Sequence, residues 1–538
     1  MTPKDLLLLD GNSLTIEDVV SVARSSRKVE LVPAARERMA ASRAYVESLL
    51  VPDAPPVYGI NTGFGIFANR SVAPIDASLL SRNLIVSHAV GAGQPLAEEI
   101  VRAAMLIRAN TLALGYSGVR VETVETLIAM LNAGVHPVVP EQGSLGSSGD
   151  LAPLSHVALV LSRDALDNES ESGEAFYGGQ RMSGKATMQA AGIPRIVLGA
   201  KEGLALNNGA TFSAAVAALA VADSENLARQ AQIATAMALE ALLGVSDAFD
   251  ERLHAARRQK GQATVAANLR ALIAGSVLVD SHGRVQDAYS LRCAPQIIGP
   301  VLDTLAFVRG LIENEINAAT DNPLIFEANP KSQIPNPNSQ FTALSGGNFH
   351  GEVVGLAMDY LGIALAEVGA LAERQINRMM NDKYSFGLPP MLVADAEAAG
   401  LNSGLMMPHY TAVALVLENQ TLAHPDSAHS LPTSAGQEDH NANAFTAARH
   451  ARQIIGNVTR VLAIEFFAAA QALDLRAAMK PSLTLSPSSA AALARIRREI
   501  AFVSRDRLYQ SDIERAHELV TSGELVRAVE AGAGIQLQ

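Results

Sequence analysis

Apolar residues recur at helical spacing through the second part of the chain, from about residue 210 onward. The stretch 210–243 contains neither glycine nor proline, and its apolar periodicity predicts a helix of about nine turns. The segment 351–381 is apolar nearly all round in its first half, as expected of a helix enclosed by other helices. Four further segments show helical periodicity: 301–318, 409–423, 440–475 and 487–503. Together the six segments predict a bundle of long helices.

The first two hundred residues have a different texture, in which short periodic stretches are broken by proline and glycine. Examples are "VPDAPPVYGINTGFG" at 51–65 and "GAGQPL" at 91–96, which mark loops between modest helices. We therefore predict an all-α fold, with a smaller loop-rich N-terminal domain at 1–205 and a long-helix bundle domain at 206–538. The segment "NPKSQIPNPNSQ" at 329–340 is predicted to be a surface loop.

Composition and charge narrow the class of protein. Hydrophobic residues make up 49% of the 538 residues and charged residues 18%, which argues against disorder. Aromatic residues are only 4%, so the apolar share comes from small and aliphatic residues that suit helix-on-helix packing. The formal charge of −12 is not offset by a basic stretch, so we expect neither nucleic acid nor an anionic membrane surface as a partner.

Cysteine content and the apolar segments indicate a cytoplasmic protein. Cys293 is the only cysteine, which excludes a disulfide within one chain and fits a reducing compartment. The start, "MTPKDLLLLDGNSL", has too short and too acidic an apolar run for a secretory signal. The most apolar long segment, Val353 to Ala372, carries Asp359 and Glu367, and we interpret it as a buried helix rather than a membrane span.

The segment "GSLGSSGDLAPLSH", Gly143 to His156, holds three glycines and four serines directly before an apolar helical stretch. One interpretation is a loop that leads into a helix, with Asp150 as N-cap and Pro153 in the first turn. A second is a phosphate-binding loop at a helix N-terminus, which is weakened by the absence of a P-loop lysine and of a G-x-G-x-x-G spacing.

A third interpretation of this segment is autocatalytic. In a compressed Ser-Ser-Gly turn, the amide nitrogen of Gly149 can attack the carbonyl carbon of Ser147, because glycine leaves the approach unobstructed. Loss of two waters, the second from Ser148, then gives an electrophilic methylidene group that no encoded side chain provides. A Ser-Ser-Gly sequence alone is a weak signal for this chemistry.

Further motifs follow in order along nearly the whole chain, and together the sequence resembles the aromatic amino acid lyases. That family forms a 4-methylidene-imidazol-5-one group from an Ala-Ser-Gly triad. Besides the Ser-Ser-Gly segment, the matching motifs are "YGINTGFG" at 58–65, "KEGLALNNG" at 201–209, "QDAYSLRCAPQ" at 286–296, "TDNPLIF" at 320–326, "GGNFHGE" at 346–352, "GLNSG" at 400–404 and "SAGQEDH" at 434–440.

The resemblance implies an all-α homotetramer with active sites shared between subunits, which eliminates ammonia from an aromatic L-α-amino acid without an external cofactor. It implies that Ser147, Ser148 and Gly149 form the 4-methylidene-imidazol-5-one and that Asp150 assists. Other implied roles are a general base (Tyr289), a second active-site tyrosine (Tyr58), a carboxylate-binding arginine (Arg292), and two residues that hold or pack against the electrophile and substrate (Asn208 and Phe349).

Two features of the sequence favour histidine as the substrate, with trans-urocanate as the product. Ser87 and His88 stand where the histidine-specific lyases of the family carry Ser-His, and Glu438 stands where those enzymes carry glutamate. An imidazole offers ring nitrogens to a buried carboxylate, whereas a phenyl ring would leave it desolvated and unpaired. Glu438 and His440 lack the further partners of a metal site, so we expect no metal.

Departures from the family pattern keep other substrates open. Ser147 replaces the usual alanine, and "NANAF" follows "QEDH" where Val-Ser-Met is typical of histidine-specific lyases. The segments "GGNFHGEVVGLAMDYLGIALAEVGALAERQINR" and "AAAQALDL" also resemble bacterial tyrosine 2,3-aminomutases. The alternatives are therefore a tyrosine or phenylalanine ammonia-lyase, a tyrosine 2,3-aminomutase or, from a different class, a non-catalytic helical scaffold with an anion-binding loop.

Overall fold

The computed structural model describes residues 6–328, 340–479, 482 and 484–537, and helices dominate it. The predicted all-α class is confirmed, and each predicted long helix has a counterpart. The predicted loop at 329–340 lies outside the described residues except for Gln340. The long helices are Thr211–Ala241, Ala294–Glu315, Glu352–Met380, Met406–Leu422, Ala444–Met479 and Pro487–Glu499.

One boundary differs from its prediction in an informative way. The helix predicted to start at residue 301 begins at Ala294 and runs through Pro300. Gly299, which precedes the proline, lies against Gln262, where a Cβ atom would come within 2.4 Å of the Gln262 amide nitrogen. Glycine thus allows a neighbouring helix to approach here, and this packing sustains a helix across a residue that normally ends one.

The described chain divides into two compact units, each assembled from separate segments. The first unit comprises Met1–Ala222, Arg309–Asp359 and Pro425–Arg449, and the second comprises Asp223–Val308, Tyr360–His424 and His450–Gln538. Four of the five divisions fall inside long helices, and the fifth, at Pro425, lies in the connection that follows the helix Met406–Leu422. The division at residue 205 stays a prediction.

The first unit combines shorter helices with small sheets. Leu6–Leu9 pairs in parallel with Lys28–Leu31, and Leu324–Glu327 pairs antiparallel with Phe341–Leu344. The other strands are Ala92–Pro95, His136–Pro137, Pro140–Gln142, Ser162–Arg163, Glu174–Tyr177, Gln180–Ser183 and Ile196–Val197. The shorter α-helices are Ile16–Ser25, Pro33–Ser48, Ala77–His88, Glu98–Ala113, Val121–Ala133, Leu151–Leu161, Gly184–Ala190 and Glu202–Asn207, and the 3-10 turns are Gly65–Phe67, Pro74–Asp76, Glu169–Glu171 and Ser434–Gly436.

The described residues of the second unit form α-helices and 3-10 turns joined by irregular segments, and they contain none of the β-strands. Its shorter α-helices are Glu251–Arg257, Lys260–Ile273, Tyr289–Arg292, Gln510–Thr521 and Glu524–Ala533, and its 3-10 turns are Ser246–Phe249, Pro390–Leu392 and Ala396–Ala398. The core of this unit is lined mainly by alanine, leucine, isoleucine and valine, as the low aromatic content predicts.

Two described helices, Ala294–Glu315 and Glu352–Met380, are long and apolar enough to cross a membrane by length and composition alone. This is weak evidence, because the core helices of globular proteins pass the same test. Half of the apolar window of Glu352–Met380 is buried inside the protein. Asp359, within that helix, accepts hydrogen bonds from the backbone amides of Asp426 and Ser427, at 3.1 and 2.9 Å. Its charge is therefore satisfied by protein groups, as expected for a helix that packs inside the fold.

Candidate active site

A cavity of about 710 Å³ in the first unit brings together residues that the sequence places far apart. This volume suits a small organic molecule. Seven residues singled out from the sequence line it: Tyr58, Ser87, His88, Ser148, Asn208, Phe349 and Glu438.

Ser148 of the Ser-Ser-Gly loop lines this cavity, and Gly209 packs against the loop at Gly149. Gly149 has a φ of +77° and forms a parallel bridge with Gly209. A Cβ atom at Gly149 would lie 2.0 Å from the Gly209 amide nitrogen, so the backbones touch at a distance that no side chain permits. The Asn208 side-chain amide donates to the Ser148 carbonyl at 2.6 Å. These contacts hold the Ser-Ser-Gly loop in a tight turn beside the cavity.

Asp150 occupies the N-cap position of the helix Leu151–Leu161, but its carboxylate makes no capping hydrogen bond to that helix. The prediction that its side chain caps the helix is therefore wrong. The carboxylate instead accepts from the Ser144 hydroxyl at 2.6 Å, the Ser213 amide at 2.8 Å and the Ser213 hydroxyl at 3.0 Å. Complete burial raises the pKa of Asp150, while these hydrogen bonds act in the opposite direction. Asp150 thereby connects the Ser-Ser-Gly loop to the start of the helix Thr211–Ala241.

Asn208 is positioned by a short helix, Glu202–Asn207, that is anchored by buried charges. Lys201 precedes it with a φ of +70°, and its ammonium lies 2.7 Å from the Asp321 carboxylate, with both side chains fully buried. At the start of the helix, the Glu202 carboxylate accepts from the Arg120 guanidinium at 2.6 Å. Removing one partner of such a buried pair leaves an uncompensated charge, so these pairs fix where the helix ends and where the Asn208 amide lies.

Tyr58 and His88 line the cavity from separate elements. The Tyr58 hydroxyl accepts from the Gly65 amide at 3.3 Å, and its ring meets Phe64 edge to face at 6.5 Å. His88 ends the helix Ala77–His88, and its Nδ1 lies 2.9 Å from the Ser87 hydroxyl. Burial lowers the pKa of His88, and the charge of Glu438 opposes that shift. The His88 ring and Glu438 both line the cavity.

Glu438 is held by a tight turn that the sequence motif "SAGQEDH" does not reveal. The Thr433 amide donates to the Glu438 carbonyl at 2.8 Å, and the Thr433 hydroxyl lies 3.3 Å from the Glu438 carboxylate. Between them, Ser434 and Ala435 both adopt left-handed conformations, with φ of 51° and 52°. Non-glycine residues rarely adopt this conformation, and it concentrates at functional sites.

Two sequence-predicted residues, Tyr289 and Arg292, do not line this cavity and belong to the second unit. They form the short helix Tyr289–Arg292, in which the Arg292 guanidinium lies 4.7 Å from the centre of the Tyr289 ring. The Tyr289 side chain is 71% exposed.

Sequence reasoning missed several residues that shape the site. Ser144 and Ser213 hold Asp150, and Asn322 lines the cavity with Ser148. Asn322 lies within the quoted motif "TDNPLIF", so a signal for it was present. Ser213 lies in an alanine-rich helix with no local signal, because its role depends on a contact 63 positions away along the chain.

The fold and the cavity define a mainly helical protein with a small-molecule site at a Ser-Ser-Gly loop. A family model, "Aromatic amino acid lyase", matches residues 14–498. The chain therefore belongs to the aromatic amino acid lyase family, as the sequence motifs predict.

The proteins similar to this chain include histidine ammonia-lyases and a tyrosine aminomutase. A histidine ammonia-lyase of Gloeobacter violaceus is 49% identical over 98% of both chains, and one of Alkaliphilus oremlandii is 46% identical over 98% of this chain and 99% of that one. Among solved structures, histidine ammonia-lyase from Trypanosoma cruzi has a TM-score of 0.86 at 37% identity, covering 98% of this chain and 95% of that one. Tyrosine aminomutase from Streptomyces globisporus has a TM-score of 0.89 at 36% identity, covering 99% and 100%.

Proposed function

We propose that this protein is an ammonia-lyase that converts L-histidine to trans-urocanate and ammonia. The observation that carries the proposal is the shared cavity, in which Glu438 and His88 face the same space as Ser148. The curated relatives support histidine over tyrosine or phenylalanine, since those at 46–49% identity are named histidine ammonia-lyases. The backbone likeness to a tyrosine aminomutase does not favour that activity, because its sequence identity is lower, at 36%.

The reactive group of this proposal is a 4-methylidene-imidazol-5-one built from Ser147, Ser148 and Gly149. In its formation the Gly149 nitrogen bonds to the Ser147 carbonyl carbon, whose oxygen leaves as water with the hydrogens of the Gly149 and Ser148 amides. A second water then forms from the Ser148 hydroxyl and its Cα hydrogen. The Gly149–Gly209 contact and the Asn208 hydrogen bond to the Ser148 carbonyl support this assignment. Once formed, the group is an electrophile that draws electron density from the substrate.

Residues of the cavity supply binding and orientation. Glu438 and His88 pair with the polar nitrogens of the substrate imidazole, Phe349 packs against the electrophile, and Tyr58 covers the site from the turn at Gly65. Asp150 assists ring formation from behind the loop, where it holds Ser144 and Ser213. A well-placed carboxylate partner for the imidazole also rejects a phenyl ring, because the buried carboxylate would then be left unpaired.

Tyr289 and Arg292 complete the site in this proposal. As its phenolate, Tyr289 takes the β-proton, and the electrons of that C–H bond form the double bond between Cα and Cβ. The protonated amino group leaves as ammonia with the electrons of its bond to Cα, and the Arg292 guanidinium binds the substrate carboxylate. The protein acts as a homotetramer whose subunits share active sites. The 71% exposure of Tyr289 in one chain supports this arrangement, because a catalytic residue needs an enclosed site.

The test is to incubate the purified protein separately with histidine, tyrosine and phenylalanine and to follow the unsaturated product of each by ultraviolet absorbance. Urocanate from histidine is expected, and Ser148→Ala should remove it while helix content by circular dichroism is unchanged. Intact mass should show two waters fewer than the sequence predicts. Coumarate, cinnamate or β-tyrosine in place of urocanate would overturn the choice of substrate, and an unmodified mass would overturn the lyase in favour of the scaffold.

A further inference from the structure

Ser147, the first residue of the Ser-Ser-Gly triad, has a side chain that ring formation does not consume. The residue is buried, and its hydroxyl donates to the Leu145 carbonyl at 3.3 Å. The same oxygen accepts a hydrogen bond from the Ala442 backbone amide at 3.0 Å, across 295 positions of sequence. Ala442 is fully buried, and a buried amide without a hydrogen-bond partner destabilises the folded protein. The Ser147 hydroxyl supplies that partner.

Ala442 stands at the end of a closed segment, residues 430–442, that we call the recognition loop. Its ends are joined because the Asn441 amide donates to the Ser430 hydroxyl at 2.7 Å and the Asn441 side chain donates to the Leu431 carbonyl. Between these ends, the recognition loop carries Glu438. The Ser147 hydroxyl therefore connects the electrophile to the base of the loop that presents the substrate-binding carboxylate.

Backbone contacts around Ser147 make this connection stiff. The Gly351 amide donates to the Gly146 carbonyl at 2.8 Å, and a Cβ atom at Gly146 would lie 2.6 Å from the Ala444 Cβ. The chain on both sides of the Ser147–Ala442 hydrogen bond is thus in direct contact with neighbouring backbone. The backbone beside this hydrogen bond therefore has little room to move when the Ser147 side chain is changed.

We propose that Ser147 is a positioning residue that couples the Ser-Ser-Gly loop to the recognition loop. Held between the Leu145 carbonyl and the Ala442 amide, its hydroxyl fixes the Ser147 side chain and with it the carbonyl carbon that the Gly149 nitrogen attacks. The same hydrogen bond fixes the distance of Glu438 from Ser148. In this chain, unlike family members with alanine at this position, the rate of maturation and the affinity for the substrate ring are therefore coupled through one hydroxyl. This inference rests on the proposed function.

The experiment compares Ser147→Ala and Ser147→Cys with Ser147→Thr. Alanine removes the acceptor, cysteine keeps a similar size but is a weak acceptor, and threonine keeps the hydroxyl. Each protein is made by cell-free synthesis, its loss of two waters is followed in time by intact mass, and KM and kcat for histidine are measured once maturation is complete. Circular dichroism checks that each variant is folded.

Ser147→Ala and Ser147→Cys are expected to mature more slowly and to show a KM for histidine raised by roughly five- to tenfold, with a smaller change in kcat per matured site. Ser147→Thr keeps the hydroxyl and is expected to retain more of the maturation rate and of the affinity for histidine than either of the other two variants. An unchanged KM in the alanine and cysteine variants would overturn the coupling, even if maturation slows. Failure of the unsubstituted protein to lose water or to form urocanate would instead overturn the proposed function.

Discussion

At the scale of single residues, Ser87 decides which nitrogen of His88 carries the proton. The Ser87 hydroxyl lies 3.2 Å from the Leu84 carbonyl, to which it donates, and 2.9 Å from His88 Nδ1. A hydroxyl has one proton, which we assign to the hydrogen bond with the Leu84 carbonyl, so that the second hydrogen bond comes from a protonated Nδ1. Nε2 of His88 is then an acceptor, which suits a ring N–H of the substrate.

Ser87→Ala is therefore expected to lower kcat/KM for histidine by roughly five- to tenfold, because His88 loses the partner that fixes its tautomer. Ser87→Thr keeps the hydroxyl and serves as the matched control. Steady-state kinetics of the three proteins at one pH are the measurement. Equal kcat/KM in the alanine variant and the unsubstituted protein would show that Ser87 does not set the His88 tautomer.

Residue-level prediction from sequence works where a side chain is part of an ordered motif and fails where its partner is distant. Tyr58, Asn208, Phe349 and Glu438 were recognisable within motifs, and the structure brings them to one cavity. Asp150 is the counterexample. Its position before an apolar helix predicts a cap, yet hydrogen bonds from Ser144 and Ser213 occupy its carboxylate, and the Ser213 contact cannot be read from local sequence.

At the scale of elements, the end of the helix Ala294–Glu315 holds an unusual carboxyl group. Burial and the nearby charge of Asp150 raise the pKa of Glu315 from 4.5 to about 7. The C-terminal end of a helix carries partial negative charge and opposes ionisation as well. Between pH 4.5 and 7 the folded state binds this proton more tightly than the unfolded state, so the free energy of unfolding falls as pH rises through that range, and the loss persists above it.

Glu315→Gln removes the cost of ionisation and is expected to raise Tm at pH 8 by roughly 2–4 °C, with little effect at pH 5. Scanning calorimetry at the two pH values is the measurement. Glu313→Gln, nearer the surface on the same helix, controls for the loss of a negative charge. A Tm at pH 8 that is lower in the Glu315 variant than in the unsubstituted protein would contradict the assignment.

Element boundaries show why periodicity alone predicts helices better than their ends. The helix at Thr211–Ala241 matches the predicted 210–243 closely, because both ends coincide with glycine-containing turns. The helix Ala294–Glu315 begins seven residues before its predicted start at 301, since the packing at Gly299 supports a helical Pro300. Such packing is a property of the neighbouring helix and has no local signature.

At the scale of the whole molecule, the proposed sharing of active sites between the subunits of a tetramer makes a quantitative prediction. Co-expression of Ser148→Ala and Tyr289→Phe chains in equal amounts mixes them within tetramers. If each site takes Ser148 from one subunit and Tyr289 from another, about one quarter of the sites contain both intact residues. The mixture is expected to recover about a quarter of the unsubstituted activity, measured as urocanate formation, whereas each variant alone is inactive. No recovery would place both residues in the same chain.

The close contact of Gly149 with Gly209 bears on how inactive members of such a family are recognised. Folding alone demands glycine at both positions, because any side chain at Gly149 would collide with backbone. A descendant that lost its chemistry would keep both glycines for packing, while Ser148, which faces the cavity, would be released to drift. Under the proposed function, the residue at position 148 is therefore expected to separate enzymes from pseudoenzymes in genome surveys, whereas the glycine beside it is not.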